Sequence, residues 1–231
     1  MITGRLIGIG VGPGDPELMT MKAIKAIRSA PVIAYTSSKG RPSHARQIVA
    51  EHIAASAKEI KITLPLHPSP EITQSAFDEG ASRISAELEI GRNVAVLCEG
   101  DPTIYGSFGP ILKRLQQQYP VAIVPGVSIA MAASAASLHP LLVNHESLSI
   151  IPATLPDDEL AIRLRTADHA IIQKLDGQME KLRMVLGKLN LEEHALYIEH
   201  ALDVSERIEP LAKLDDVDPS DFSVILVTKS R

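Results

Sequence analysis

Short apolar runs alternate along the chain with longer stretches in which apolar residues recur every three or four positions. Residues 6–11, 32–35, 59–64, 93–98 and 121–124 read as strands, each closed by Gly, Pro or polar residues. Helical spacing fills the intervals. In 18–28, Leu18, Met21, Ile24 and Ile27 form one stripe; in 42–55, Ala45, Ile48, Val49 and Ile53 face inward; 71–90 and 107–118 follow. After Gln116-Gln117-Gln118-Tyr119-Pro120, a polar stretch ending in proline, the pattern restarts. This is the expected seam between two domains, 1–118 and 121–231. Beyond it, 148–151, 170–174, 195–199 and 223–228 read as strands and 128–137, 157–165 and 179–189 as helices.

The strand runs are apolar without strict alternation, which places them in sheets covered on both faces. Strand–helix alternation gives the class as α/β, with two α/β domains. The second half has fewer helices per strand, so its sheet is expected to be mixed.

Composition narrows the function. The chain has 231 residues, 23 basic and 28 acidic, for a net charge of −5. It lacks the basic footprint of a nucleic-acid binder. Aromatic residues are 3%, too few for a base-stacking platform. The one cysteine, Cys98, leaves no disulfide or C-x-x-C metal pattern, and with no signal-peptide pattern at the start the expected setting is the cytoplasm. From Leu115 to His145 no charged residue occurs, but Pro120, Pro125 and Pro140 break the stretch. It reads as a buried strand, turn and helix rather than a membrane span. His139 and His145 read as ordinary structural histidines.

Three strand-to-helix turns carry the chemistry. The first is Gly8-Ile9-Gly10-Val11-Gly12-Pro13-Gly14-Asp15-Pro16. It imitates the dinucleotide fingerprint G-x-G-x-x-G, but the spacing fails: counted from Gly8 the third position is Pro13, and counted from Gly10 it is Asp15. Pro13 and Pro16 also remove N–H donors that a pyrophosphate needs. Asp15 as a helix cap with Pro16 behind it is an equally good structural reading. The second turn is Cys98-Glu99-Gly100-Asp101-Pro102-Thr103-Ile104-Tyr105-Gly106-Ser107-Phe108, where Asp101 either meets a ligand or caps its own turn. The third is Pro125-Gly126-Val127-Ser128. Together they point to one ligand enclosed by backbone with few charged contacts, a nucleoside without phosphates.

These stretches, collinear over nearly the whole chain, resemble the tetrapyrrole methylase family, and Glu99-Gly100-Asp101-Pro102 with Tyr105-Gly106-Ser107-Phe108 is similar to the branch that methylates C20 of precorrin-2. The Lys39-Gly40-Arg41-Pro42 stretch is similar to that branch as well. The resemblance implies two α/β domains with a ligand cleft between them, a homodimer, and methyl transfer from S-adenosyl-L-methionine, leaving S-adenosyl-L-homocysteine. It implies a tetrapyrrole substrate, precorrin-2 or cobalt-factor II, with another ring carbon as the near alternative and a dinucleotide-dependent oxidoreductase as the distant one. Implied cofactor contacts are Pro13, Gly100, Asp101, Ile104, Tyr105, Ser128, Ile129, Leu175, Ala201 and Leu202. Asp101 and Tyr105 are the implied catalytic pair, with Asp101 binding and orienting first. For a polycarboxylate macrocycle, Lys39 and Arg41 are the candidate substrate contacts; with Arg46 they form the expected cation cluster after the second strand, and Arg5 lies near the first. No metal, nucleic acid or membrane partner is expected.

Overall fold

The computed structural model describes residues 3–65, 70–215, 217–220 and 222–229. The chain divides into two compact units, one ending at Ser128 and one beginning at Ile129.

The first unit is a parallel five-stranded sheet in the order β3-β2-β4-β1-β5, formed by β1 (Leu6–Gly10), β2 (Val32–Ser38), β3 (Lys58–Leu64), β4 (Val94–Cys98) and β5 (Val121–Val124). Helices α1 (Met21–Ser29) and α2 (His44–Ile48) cover one face, where Ile9, Ile33 and Leu97 meet Ala23, Ile27, Ala45 and Ile48. Helices α3 (Pro70–Glu89) and α4 (Phe108–Leu115) cover the other, where Val32, Ile60 and Val96 meet Phe77, Ile84, Phe108 and Ile111. β1 and β4 are neighbours, yet α1 leaves β1 on one face and α4 leaves β4 on the other. Their carboxyl ends therefore form the topological switch point at which open α/β sheets bind ligands.

The second unit has a mixed sheet, as its sparse helices led one to expect. Its order is β6-β7-β10-β8-β9, from β6 (Leu148–Pro152), β7 (His169–Gln173), β8 (Ala195–Glu199), β9 (Arg207–Pro210) and β10 (Ser223–Thr228). β6 and β7 are parallel, and β10 runs antiparallel between β7 and β8, so β6, β7 and β8 all end at the same edge. Helices α6 (Asp157–Thr166) and α7 (Met179–Lys188) pack on one face, and the Ala-rich α5 (Ile129–Ala136) packs on the other.

The structure corrects the sequence reading at several points. The division falls after Ser128 rather than at 118–121, because β5 pairs with β1 and belongs to the first sheet. The first helix begins at Met21, capped by the Thr20 hydroxyl on the Ala23 N–H at 3.1 Å. Its inward residues are Ala23 and Ile27, while Met21 is 68% exposed. The expected helix over 42–55 is only the five-residue α2 followed by a 3-10 turn at Ala50–His52. β9 is a strand that the apolar pattern missed, because an edge strand reading Arg-Ile-Glu-Pro carries little apolar signal.

On the face of α3, the Glu87 side chain is buried between Lys58 Nζ at 2.5 Å and Arg92 Nη1 at 3.0 Å. The hydrogen bond from Lys58, aided by that from Arg92, outweighs burial and holds the carboxyl below its ordinary range. A depressed folded value means that the pair contributes stability above the unfolded carboxyl range and loses it as pH falls through the folded value. Both cations are about half exposed, so the contribution is on the order of 1 kcal/mol. Glu87→Gln should lower the melting temperature at neutral pH, and the difference from wild type should shrink in scans below pH 4.

Candidate functional site

The three glycine turns converge in the first unit. The turn after β1 and the turn after β4 are joined as a two-residue antiparallel bridge, with the Gly100 N–H on the Gly12 carbonyl at 2.7 Å and the Gly12 N–H on the Gly100 carbonyl at 3.3 Å. The turn after β5 is tied in by Asp101, whose Oδ2 accepts from the Gly126 N–H at 3.0 Å. Asp101 Oδ1 accepts from the Thr103 N–H at 2.8 Å and the Thr103 hydroxyl at 2.5 Å. Burial raises the Asp101 pKa, but the donors of Thr103 and Gly126 outweigh it and hold the carboxyl below its ordinary range. The side chain is thus an ionised strut between two turns, a use that goes beyond the turn-capping and ligand-binding readings.

This closeness is why glycine is needed. A Cβ on Gly10 would lie 2.6 Å from both the Gly100 carbonyl oxygen and the Gly126 nitrogen. One on Gly126 would lie 2.2 Å from the Gly100 oxygen. Gly8 has a different duty: its missing side chain makes room for the buried Phe108 ring, 2.7 Å from a Cβ there. Gly12 and Gly100 take φ of +84° and +60°, where a side chain is strained. The imitation of a dinucleotide fingerprint is therefore a packing pattern. Asp15 caps the 3-10 turn Pro16–Leu18 through the Glu17 N–H at 2.8 Å, which bears out the structural reading of that residue.

Of the candidates in this unit, Pro13, Gly100 and Asp101 sit in the bridged turns, and Ser128 is buried two residues past Gly126. Ile104 closes a turn onto the Asp101 carbonyl at 3.3 Å. Tyr105 follows, 45% exposed and at φ +50°. A bulky residue held left-handed marks stored strain of the kind found at functional sites. Cys98 is a small buried hydrophobe whose thiol is pushed up to about 11 by burial.

In the second unit, Leu175 follows β7 and Ala201-Leu202 follow β8, so both lie at the one edge where β6, β7 and β8 end. The Leu175 and Ala201 side chains are buried in the unit's own core, which leaves backbone as what they offer a ligand. Strain gathers here too: Lys174, His200 and Leu202 have φ of +62°, +49° and +63°. Ile129 opens α5 and is half-buried against the core.

Lys39 and Arg41 project from the tight turn after β2, both exposed, with no ion-pair partner among the described residues. The expected cluster loses one member, since Arg46 is held by Glu59 through two bonds of 3.0 and 3.1 Å; Arg5 directly precedes β1, at the opposite end of the parallel strands from Lys39 and Arg41. Two surface hollows, about 90 Å³ beside Lys61 and Arg83 and about 280 Å³ between α6 and α7, are lined by no residue of the three turns. Both fall below the range of ordinary ligand sites. The Thr103 bonds bear out the own-turn cap expected of Asp101; sequence reasoning missed Gly126 as its other partner, because nothing in a linear spacing of 25 residues announces that contact.

Residues 5–216 match the family of Tetrapyrrole (Corrin/Porphyrin) Methylases. The precorrin-2 C(20)-methyltransferase of a Sinorhizobium species is 33% identical over 232 residues, covering 97% of this chain and 95% of that protein. The cobalamin biosynthesis protein CobIJ of Mycobacterium tuberculosis is 36% identical over 236 residues, covering 99% of this chain; the chain spans 46% of that relative's length. Among solved structures, the uroporphyrin-III C-methyl transferase of Thermus thermophilus in complex with S-adenyl homocysteine superimposes with a TM-score of 0.67 at 21% identity, covering 97% of this chain and 92% of that one.

Gly126→Ala should separate the turns, because the obstructing atoms are backbone rather than the end of a flexible side chain. The expected cost is on the order of 1–3 kcal/mol in chemical denaturation, in the range of overpacking. Asp101→Asn keeps one acceptor oxygen, for Thr103 or for Gly126, and turns its NH2 donor toward the N–H of the other. It should lower the melting temperature at neutral pH and remove part of the wild type's loss of stability in acid, since that loss comes from protonating a depressed carboxyl.

Proposed function

Because the chain belongs to the tetrapyrrole methylase family, we propose that it transfers a methyl group from S-adenosyl-L-methionine to C20 of precorrin-2, giving precorrin-3A and S-adenosyl-L-homocysteine. The observation that carries this reading is the convergence of three cation-free turns at the switch point of the first sheet. Residues 10–17, 99–108 and 125–128 contain no Lys or Arg, and their charged side chains are Asp15, Glu17, Glu99 and Asp101. Such a lip offers backbone donors, acceptors and negative charge. That suits an uncharged nucleoside carrying a sulfonium and repels a pyrophosphate. The choice of C20 is supported by the precorrin-2 C(20)-methyltransferase that the chain matches nearly end to end.

When bound, the donor supplies a methyl already activated on positively charged sulfur, so the chain's own work is placement. Pro13, Gly100, Ile104, Tyr105 and Ser128 hold the nucleoside part in this reading, and Ile129, Leu175, Ala201 and Leu202 are the contacts of the second unit. Asp101 acts first by fixing the turns and second as a fixed negative charge. At about 4 Å and an effective dielectric near 20, one such charge attracts a cation by roughly 4 kcal/mol before desolvation. Attraction that is equal in ground and transition states tightens binding without speeding the chemical step. The rate enhancement comes instead from alignment, which supplies up to about 7–11 kcal/mol in well-oriented reactions. Tyr105, half exposed and conformationally strained, is the side chain assigned to the reacting end. Lys39 and Arg41 receive the carboxylates of the macrocycle. The reading includes a homodimer in the cytoplasm.

The test is a methyl-transfer assay on purified protein with metal-free precorrin-2 and with cobalt-factor II, reading product mass and the position of the new methyl. Methylation at C20 of either is the expected result and identifies the physiological form. Methylation at another ring carbon overturns the C20 assignment, and tight binding of NAD in place of S-adenosyl-L-homocysteine overturns the class. Replacing both Lys39 and Arg41 with Gln should raise the macrocycle KM about tenfold, or roughly 1.4 kcal/mol, with the S-adenosyl-L-homocysteine Kd within about twofold of wild type.

A further inference from the structure

Glu99 stands between the last residue of β4 and Gly100 of the bridged turn, and beyond its share of the negative charge there the proposed reaction gives it no task. Its Oε1 accepts from the Ala45 N–H at 3.2 Å, across 54 positions of sequence. Ala45 is the second residue of α2, and its amide is one of the donors that a helix start leaves without an intrahelical partner. The other cap of α2 is weaker: the Ser43 hydroxyl reaches the Arg46 N–H at 3.4 Å. A five-residue helix has little stability of its own, so the contacts at its start decide where it sits.

The segment that α2 terminates carries Lys39 and Arg41. It begins at a tight turn in which the Lys39 N–H bonds the Leu64 carbonyl at 2.8 Å, the Arg41 N–H bonds the Ser38 carbonyl at 3.0 Å, and Gly40 takes φ +79°. β2 and β4 are neighbours in the sheet, so the loops leaving them lie side by side. One end of the cationic loop is thus fixed to β3 and the other to Glu99.

We propose that Glu99 is a positioning residue that ties the turn binding the methyl donor to the loop binding the macrocycle, and so couples the two sites. This rests on the reading given under Proposed function. A shift of the 99–101 backbone on donor binding would move the start of α2 and with it Lys39 and Arg41. By linkage, macrocycle binding would then favour the same turn conformation.

The experiment compares wild type, Glu99→Ala and Glu99→Gln by amide hydrogen exchange over 39–48, by the Kd of S-adenosyl-L-homocysteine, and by the macrocycle KM and kcat. Gln keeps an acceptor for Ala45 and serves as the rescue. For Glu99→Ala the expected result is faster exchange at Ala45 and a macrocycle KM raised about fivefold or more, the lower end of ordinary coupling, with the S-adenosyl-L-homocysteine Kd within about twofold and Glu99→Gln close to wild type. Unchanged exchange and KM in Glu99→Ala overturn the proposal. So does equal weakening of both ligands by Ala and Gln alike, which marks a general structural role. Failure of the wild type itself to bind S-adenosyl-L-homocysteine sinks the methyl-transfer reading instead, and the exchange arm still decides whether Glu99 pins the loop.

Discussion

Two backbone hydrogen bonds between Gly12 and Gly100, and one carboxylate between Thr103 and Gly126, hold the exits of β1, β4 and β5 against one another. The constraint comes from the sheet. β1 lies between β4 and β5, with its connection on one face and that of β4 on the other, so the loops must part at the switch point. Left unjoined they would splay. The bridge joins them, and it forms only because residues 10 and 126 lack a Cβ that would strike backbone. Asp101 then converts a potentially reactive carboxylate into a fixed, ionised brace. Its depressed pKa is a consequence of being fully hydrogen-bonded, which differs from the raised carboxyl of a proton-transferring acid.

Charge is sorted around this brace in a way that the net value of −5 conceals. The three turns together carry acidic groups and no basic ones, while Lys39 and Arg41, without an ion-pair partner among the described residues, stand on the neighbouring loop after β2. Arg46, which the linear sequence groups with them, is spent on Glu59. The first unit thus presents acidic and basic groups on adjacent strand exits, the opposite fields that the proposed sulfonium nucleoside and polycarboxylate would ask for. For a methyl donor that arrives activated, little acid–base machinery is needed. The use of Asp101 as a brace between turns agrees with the proposed catalysis by placement.

Left-handed backbone occurs at several of the candidate positions, as it also does at Leu138 away from them. Tyr105, Lys174, His200 and Leu202 hold left-handed backbone beside or at candidate contacts in both units, positions where any L-residue other than Gly, Asn or Asp is uncomfortable. In the second unit the buried Leu175 and Ala201 side chains anchor those turns in the unit's own core.

The sequence by itself determined the class, most element positions and the three turns, because apolar periodicity and Gly-Pro chemistry are local signals. It also ruled out a pyrophosphate fingerprint, since that depends on spacing alone. Tertiary structure decided the rest. It assigned β5 to the first sheet, since strand pairing is non-local; it took Arg46 out of the cation cluster, since neighbours in sequence face different partners; and it turned Met21 outward, since Ala23 and Ile27 form the face of α1 that packs on the sheet. It alone showed what Asp101 and Glu99 hold. A carboxylate's role is fixed by the donors around it, and the donors that tie these two to other elements come from residues 25 and 54 positions away along the chain.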